Sequence, residues 1–240
     1  MDNSYGQFCT VARAVEVIGN HWTPLVVREL LCGGKRFNDI HRGVPRMSTS
    51  LLAQRLRRLE EFGVVRRTAA GKVWEYGLTT AGEELRPIVM ALGHWGATWI
   101  GTRLREDELD AGLLMWDIRR NVCLAEFPPH AVAIQFRLRD ARQGERDWWL
   151  VVEDGEADLC RDDPGRELTL VVDATVRAFT DVWSGERTPA QTLQSREIRI
   201  EGAKRDVDRF WTWLGTSPFA PTRQLAVQAS SSAVSNAGEK

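Results

Sequence analysis

The stretch 46–76, RMSTSLLAQRLRRLEEFGVVRRTAAGKVWEY, constrains this chain more than any other. Leu52, Leu56 and Leu59 recur at i, i+4 and i+7, which lays one apolar stripe along a helix. Ser48 or Ser50 offers a short side-chain oxygen to the free backbone N–H groups at the start of that helix. Ser50, Gln54, Arg57 and Arg58 then fall roughly opposite the leucines, with Arg55 on a flank. After Gly63, residues 64–68 and 72–78 read as two strands joined by residues 69–71. A helix with small polar residues near its N-terminus and arginines along its outer face fits a DNA major groove. The basic hairpin that follows reads as a wing.

Charge supports that reading only when it is taken locally. The formal net charge of the 240 residues is -1, but residues 35–72 hold 10 basic and 3 acidic side chains. Residues 1–100 are net +4 and the remainder net -5. A local basic excess is what phosphate neutralisation and counterion release require. Cys9, Cys32, Cys123 and Cys160 are scattered, without a C-x-x-C pair or a histidine at ligand spacing, so neither a metal site nor a disulfide framework is expected. No cofactor is implied. No apolar run approaches membrane length and residues 1–8 lack a signal-peptide core, so a cytoplasmic location without membrane association is expected.

The order of elements suggests two parts. Residues 11–19 have helical spacing and end at a glycine. Thr23-Pro24 opens a second helix, and Cys32 at its end is expected in the core. Residues 37–42 form a short third helix, and 43–45 break it before the arginine helix. From Thr79 a single long helix is expected through Leu85, Ile88, Val89, Leu92 and Trp95 towards Ile100. This order resembles a winged helix-turn-helix. Beyond a charged stretch at 105–110, residues 113–122 read as a helix and 131–138, 148–153, 156–160 and 167–172 as strands. Residues 174–183 and 189–193 read as helices, 198–201 as a last strand and 203–214 as a helix. The fold class is therefore α+β, with residues 1–104 as a DNA-binding domain, 113–220 as a second α+β domain and 221–240 as a disordered tail.

CTVARAVEVIGNHWTPLVVRELLCGGKRFNDI from Cys9, with RLRRLEEFGVV, YGLTTAGEEL and ALGHWG, closely resembles the HxlR branch of winged helix-turn-helix regulators, related to the MarR type. The resemblance covers about residues 8–100. It implies a homodimeric transcription factor on double-stranded operator DNA, with its first and last helices at the dimer interface and His94 and Trp95 within it. It further implies that Ser48, Thr49, Ser50 and Gln54 face bases or adjacent phosphates, and that Arg55, Arg57 and Arg58 divide between base edges and backbone. Arg66, Arg67 and Lys72 would hold the wing on phosphate or in the minor groove. Cys9 stands where several HxlR-type proteins carry a redox- or electrophile-sensing cysteine, and a small packed thiol explains it equally well.

Residues 113–218, including LLMWDIRR, WWLVVEDGEADLC, VWSGERTPAQTL and REIRIEG, look like the sterol-carrier-protein-type fold appended to some HxlR-type regulators. That resemblance implies α/β layers around an apolar cavity and a hydrophobic small-molecule ligand. Trp116, Phe136, Trp149, Phe179, Trp183 and Phe210 are the candidate lining residues, and a plain hydrophobic core is the alternative for each. Nothing sets a nucleophile–base or carboxylate pair apart, so no enzyme is expected. Three readings stand at this point: a regulator controlled by a hydrophobic ligand, a thiol-based regulator acting through Cys9, and a lipid-carrier module with vestigial DNA binding.

Overall fold

The computed structural model describes residues 4–100 and 104–237, which divide into two compact units, 1–92 and 93–240. In the first, helices α1 (Thr10–Ile18), α2 (Thr23–Leu31), α3 (Phe37–Arg42) and α4 (Thr49–Glu61) precede an antiparallel hairpin of β1 (Val65–Ala70) and β2 (Val73–Leu78). The leucine stripe of α4 is fully buried with Val26, Val27, Ile40, Val44 and Met47. Buried Glu29 takes a 2.6 Å ion pair from Arg28, which also donates to the Gly43 carbonyl. Two helices follow the hairpin, the short α5 (Thr80–Glu83) and the 14-residue α6 (Arg86–Trp99), whose residues from Gly93 on belong to the second unit. The single helix expected from Thr79 is thus broken. Pro87 has no N–H to donate and stands in the first turn of α6, where none is needed.

The hairpin turn also differs from expectation. Ala70 pairs with Val73, leaving only Gly71 and Lys72 in the turn. Gly71 has φ +63°, and a positive φ at the first central position suits the twist of a two-residue hairpin. Cys32 is exposed at the C-terminal cap of α2, not in the core as expected, because the chain leaves the helix there through Gly33 and Gly34.

The second unit is a mixed five-stranded sheet with helices. Its elements are α7 (Ala111–Asn121), β3 (Val132–Leu138), β4 (Asp147–Glu153), β5 (Glu156–Cys160), β6 (Leu170–Ala174), α8 (Val176–Ser184), α9 (Pro189–Gln194), β7 (Ile198–Gly202), α10 (Lys204–Leu214) and α11 (Ala220–Ala237). The strand order is β5-β4-β3-β6-β7, with β3 and β6 parallel and every other pair antiparallel. Ile134, Phe136, Leu150 and Val172 on one sheet face pack with Met115 and Ile118 of α7, Phe179 and Val182 of α8, and Phe210 and Trp213 of α10. β6 begins three residues later than expected, after the Asp163-Pro164-Gly165 turn and its exposed continuation. Residues 220–237 form α11, where a disordered tail was expected; their alanines, glutamines and leucine are adequate helix formers despite the serines. No described helix is long and apolar enough to cross a membrane.

One ionic cluster gives this unit a pH signature. Arg187 donates to Glu197 at 2.6 Å and Ser195 also hydrogen-bonds that carboxylate, which together hold it at a pKa of about 2. A depressed carboxylate pKa contributes stability above its ordinary value of 4.5, and that contribution is lost as pH falls towards about 2. Asp181 on α8 faces the same Arg187, but burial pushes its carboxyl up, so its contribution has the opposite sign. Glu197→Gln is therefore expected to flatten the fall in melting temperature between pH 4.5 and pH 2 in thermal scans. An unchanged acid limb would remove Glu197 from the acid response.

Candidate nucleic-acid interface

α4 is set in place by its two ends. Ser48 caps the first turn, its Oγ accepting from the Leu51 N–H at 3.3 Å, while Ser50 stands within the helix. At the other end Gly63 takes φ +69°, Val64 N–H donates to the Leu59 carbonyl and Gly63 N–H to that of Glu60. This paired closure, with Val64 and Leu59 both buried, stops the helix and aims the chain into β1. Thr79 Oγ1 then bonds back to the Gly63 carbonyl at 2.6 Å, tying the exit of the hairpin to the end of α4.

The candidate contact residues separate on this frame. Ser48, Thr49, Ser50, Gln54 and Arg57 are exposed, and Ser50, Gln54 and Arg57 follow i, i+4, i+7 as one outward stripe. Arg55 and Arg58 are half-buried and engaged within the protein. Arg55 Nε donates to the His21 carbonyl at 3.5 Å, a long bond. The Arg58 guanidinium lies 5.2 Å from the centre of the Phe62 ring. Arg58 thus turns towards the end of its own helix rather than joining the outward stripe.

Arg66 and Arg67 are both exposed, but successive strand residues point to opposite faces. Arg66 lines a cleft of about 430 Å³ with Lys35, Glu75 and Tyr76. Arg67 stacks at 4.4 Å on Trp74, a ring 52% exposed near the hairpin tip. Sequence reasoning left Trp74 out. Strand alternation was the available signal, since Trp74 opposes Ala69 and so shares the face of Arg67. Lys72 sits exposed in the turn itself.

The other candidate sites are placed as follows. Cys9 is exposed immediately before α1. His94 bonds the Thr222 hydroxyl at 2.7 Å and meets the Phe219 ring edge-on, whereas Trp95 is 57% exposed. Phe136, Phe179, Trp183 and Phe210 lie within the core of the second unit. The Phe136 ring centre is 5.5 Å from that of Phe179 and 6.3 Å from that of Phe210. Trp149 opposes Gln135, so it occupies the other face of the sheet from Phe136 and cannot share a cavity with it. Trp116 is buried on α7 beneath the Arg119 guanidinium. Four of the six thus share one core, and Trp149 and Trp116 stand apart from it. Among the described residues no group of histidine, cysteine and carboxylate side chains is placed to hold a metal ion.

Known proteins share the first part of this architecture. A family described as HxlR-like helix-turn-helix matches residues 17–104. The HTH-type transcriptional regulator sll1512 of Synechocystis sp. is 34% identical over 98 residues, 40% of this chain and 73% of that protein. YkvN, an HTH-type transcriptional regulator of Bacillus subtilis, is 37% identical over 98 residues, 40% of this chain and 83% of that protein. Among solved structures, the redox regulator HypR in its oxidized form is 35% identical, covering 37% of this chain and 94% of that one with a TM-score of 0.35. The first relatives are spanned over most of their length by a segment carrying the capped basic helix and its wing. The chain belongs to the HxlR-like helix-turn-helix family and is a DNA-binding transcriptional regulator.

Proposed function

We propose that this regulator acts in the cytoplasm as a homodimer whose second unit, sterol-carrier-like in its sequence pattern, senses a small molecule bearing an apolar group. The outward stripe of α4 carries the residue-level reading: Ser50, Gln54 and Arg57 stand clear of a fully buried leucine stripe. In that arrangement Gln54 and Ser50 read base edges while Ser48, Thr49 and Arg57 set the register on phosphate. Arg67 and Lys72 hold the wing on the backbone, and Arg66, Arg55 and Arg58 contribute from its borders. The homodimer is supported by α1 and α6, neither of which has a buried residue.

Ligand control requires that the small molecule bind one spacing of the two recognition helices better than another. Titrating the full chain onto a selected operator between 50 and 200 mM salt tests the docking. Six to ten phosphate contacts predict an affinity loss of about 10³–10⁵ across that range. Arg57→Ala and Lys72→Ala are each expected to weaken binding across all sequences and to reduce the salt slope by about one. Salt-independent binding, or no change in either variant, would overturn this assignment.

A further inference from the structure

Trp74 gives the wing an aromatic ring that its own fold does not use. The ring is 52% exposed near the hairpin tip and is not among the residues packed on the core of the first unit. Tyr76, two residues on and so on the same face of β2, does pack there. The core thus accounts for one ring of this face and leaves the other in solvent, where an indole costs free energy unless it has another task. What Trp74 touches is Arg67. Trp74 pairs with Ala69, whose methyl group leaves the flank of the indole open, and Arg67 is the diagonal neighbour on β1. Its guanidinium carbon lies 4.4 Å from the ring centre, well inside the range over which a ring face attracts a cation.

The way Arg67 is held decides what it can still do. Ion pairs in the first unit join Arg28 to Glu29, Arg42 to Asp39 and Arg86 to Glu83, and Arg67 is in none of them. Glu75, next to Trp74, falls on the opposite face of β2 by strand alternation. Arg55, by contrast, spends its Nε–H on the His21 carbonyl. A long arginine side chain loses rotamer freedom when it is fixed on a phosphate. A carboxylate partner would fix it beforehand but would occupy the N–H donors that the phosphate needs. An aromatic ring fixes it through the π face and leaves all five N–H donors unspent.

We propose that Trp74 is a positioning residue of the wing, ordering Arg67 in advance so that its guanidinium meets a DNA phosphate with every donor free. The proposal rests on the docking reading above and assigns how one of its wing contacts is made. Full-length variants are titrated onto a fluorescein-labelled duplex that the wild-type chain selects from a random pool, with anisotropy as the readout. Arg67→Ala loses the contact itself and is expected to weaken binding about tenfold for each wing engaged. Trp74→Ala should weaken it about threefold to fivefold per wing, the ratio that a cation–π contact at an exposed site corresponds to. Trp74→Leu, apolar but without a π face, should lose as much, and Trp74→Phe should stay within about twofold of wild type. On the Arg67→Ala background, Trp74→Ala should change affinity by less than about twofold, because its effect passes through Arg67. A ring that only stiffened the hairpin would act through Lys72 as well, and the two losses would add. Additive losses, or a Trp74→Leu variant that binds like wild type, would overturn the positioning role and leave the docking of the wing standing. Arg67→Ala without effect would also overturn it; if Lys72→Ala is silent too, the docking falls with it.

Discussion

Aspartate at both Leu92 and Trp95 is expected to convert the proposed dimer into a monomer and to lower affinity for a two-half-site operator by about 10²–10⁴, the range that linking two weak binding events supplies. The reason lies in the register of α6. Ile88, Leu92, Trp95 and Trp99 follow i, i+4, i+7, i+11, and all four are large, apolar and exposed. Val89, on another side of the same helix, packs on the core of the first unit. A continuous apolar stripe on a soluble helix calls for a covering surface. The segment leading into α1 adds Phe8, which is 99% exposed, and Val11. In the proposed homodimer a second copy would supply the same two surfaces in return, as a twofold interface requires, and would set two α4 helices about one DNA turn apart. Because Leu92 and Trp95 are exposed, the variant retains its helical circular dichroism. Sedimentation as a monomer together with unchanged affinity for a single half-site completes the expected result. A variant that still sediments as a dimer would move the interface elsewhere.

Features that depend on local period were legible in the sequence, and features made by distant partners were not. The bounds of α3 and the burial of Leu52, Leu56 and Leu59 follow from spacing alone. The outward role of Ser50, Gln54 and Arg57 does too. Arg58 looked equivalent to Arg57 on a helical projection and Arg55 lay on a flank, but Arg58 meets the ring of Phe62 and Arg55 the backbone of residue 21. Likewise Trp148 and Trp149 are neighbours whose roles part only when β4 pairs with β3, which sends Trp148 to the core and Trp149 to the far face.

The packing of that core fixes the expected cost of Phe136→Ala. Phe136 is fully buried on β3, the central strand of the sheet, between the rings of Phe179 and Phe210. Removing a ring from a filled site loses its transfer free energy and leaves a cavity that neighbours collapse into only in part, about 3–5 kcal/mol in total. In urea unfolding followed by circular dichroism, the midpoint should fall correspondingly while the slope is kept. Phe136→Leu, which retains most of the apolar volume, should lose less. If these rings instead bordered an empty ligand cavity, one side of Phe136 would already lack packing partners and truncation would forfeit far fewer contacts. A loss below about 1 kcal/mol would thus return Phe136, Phe179, Trp183 and Phe210 to a ligand-lining role. The full loss leaves ligand recognition to a surface outside that core.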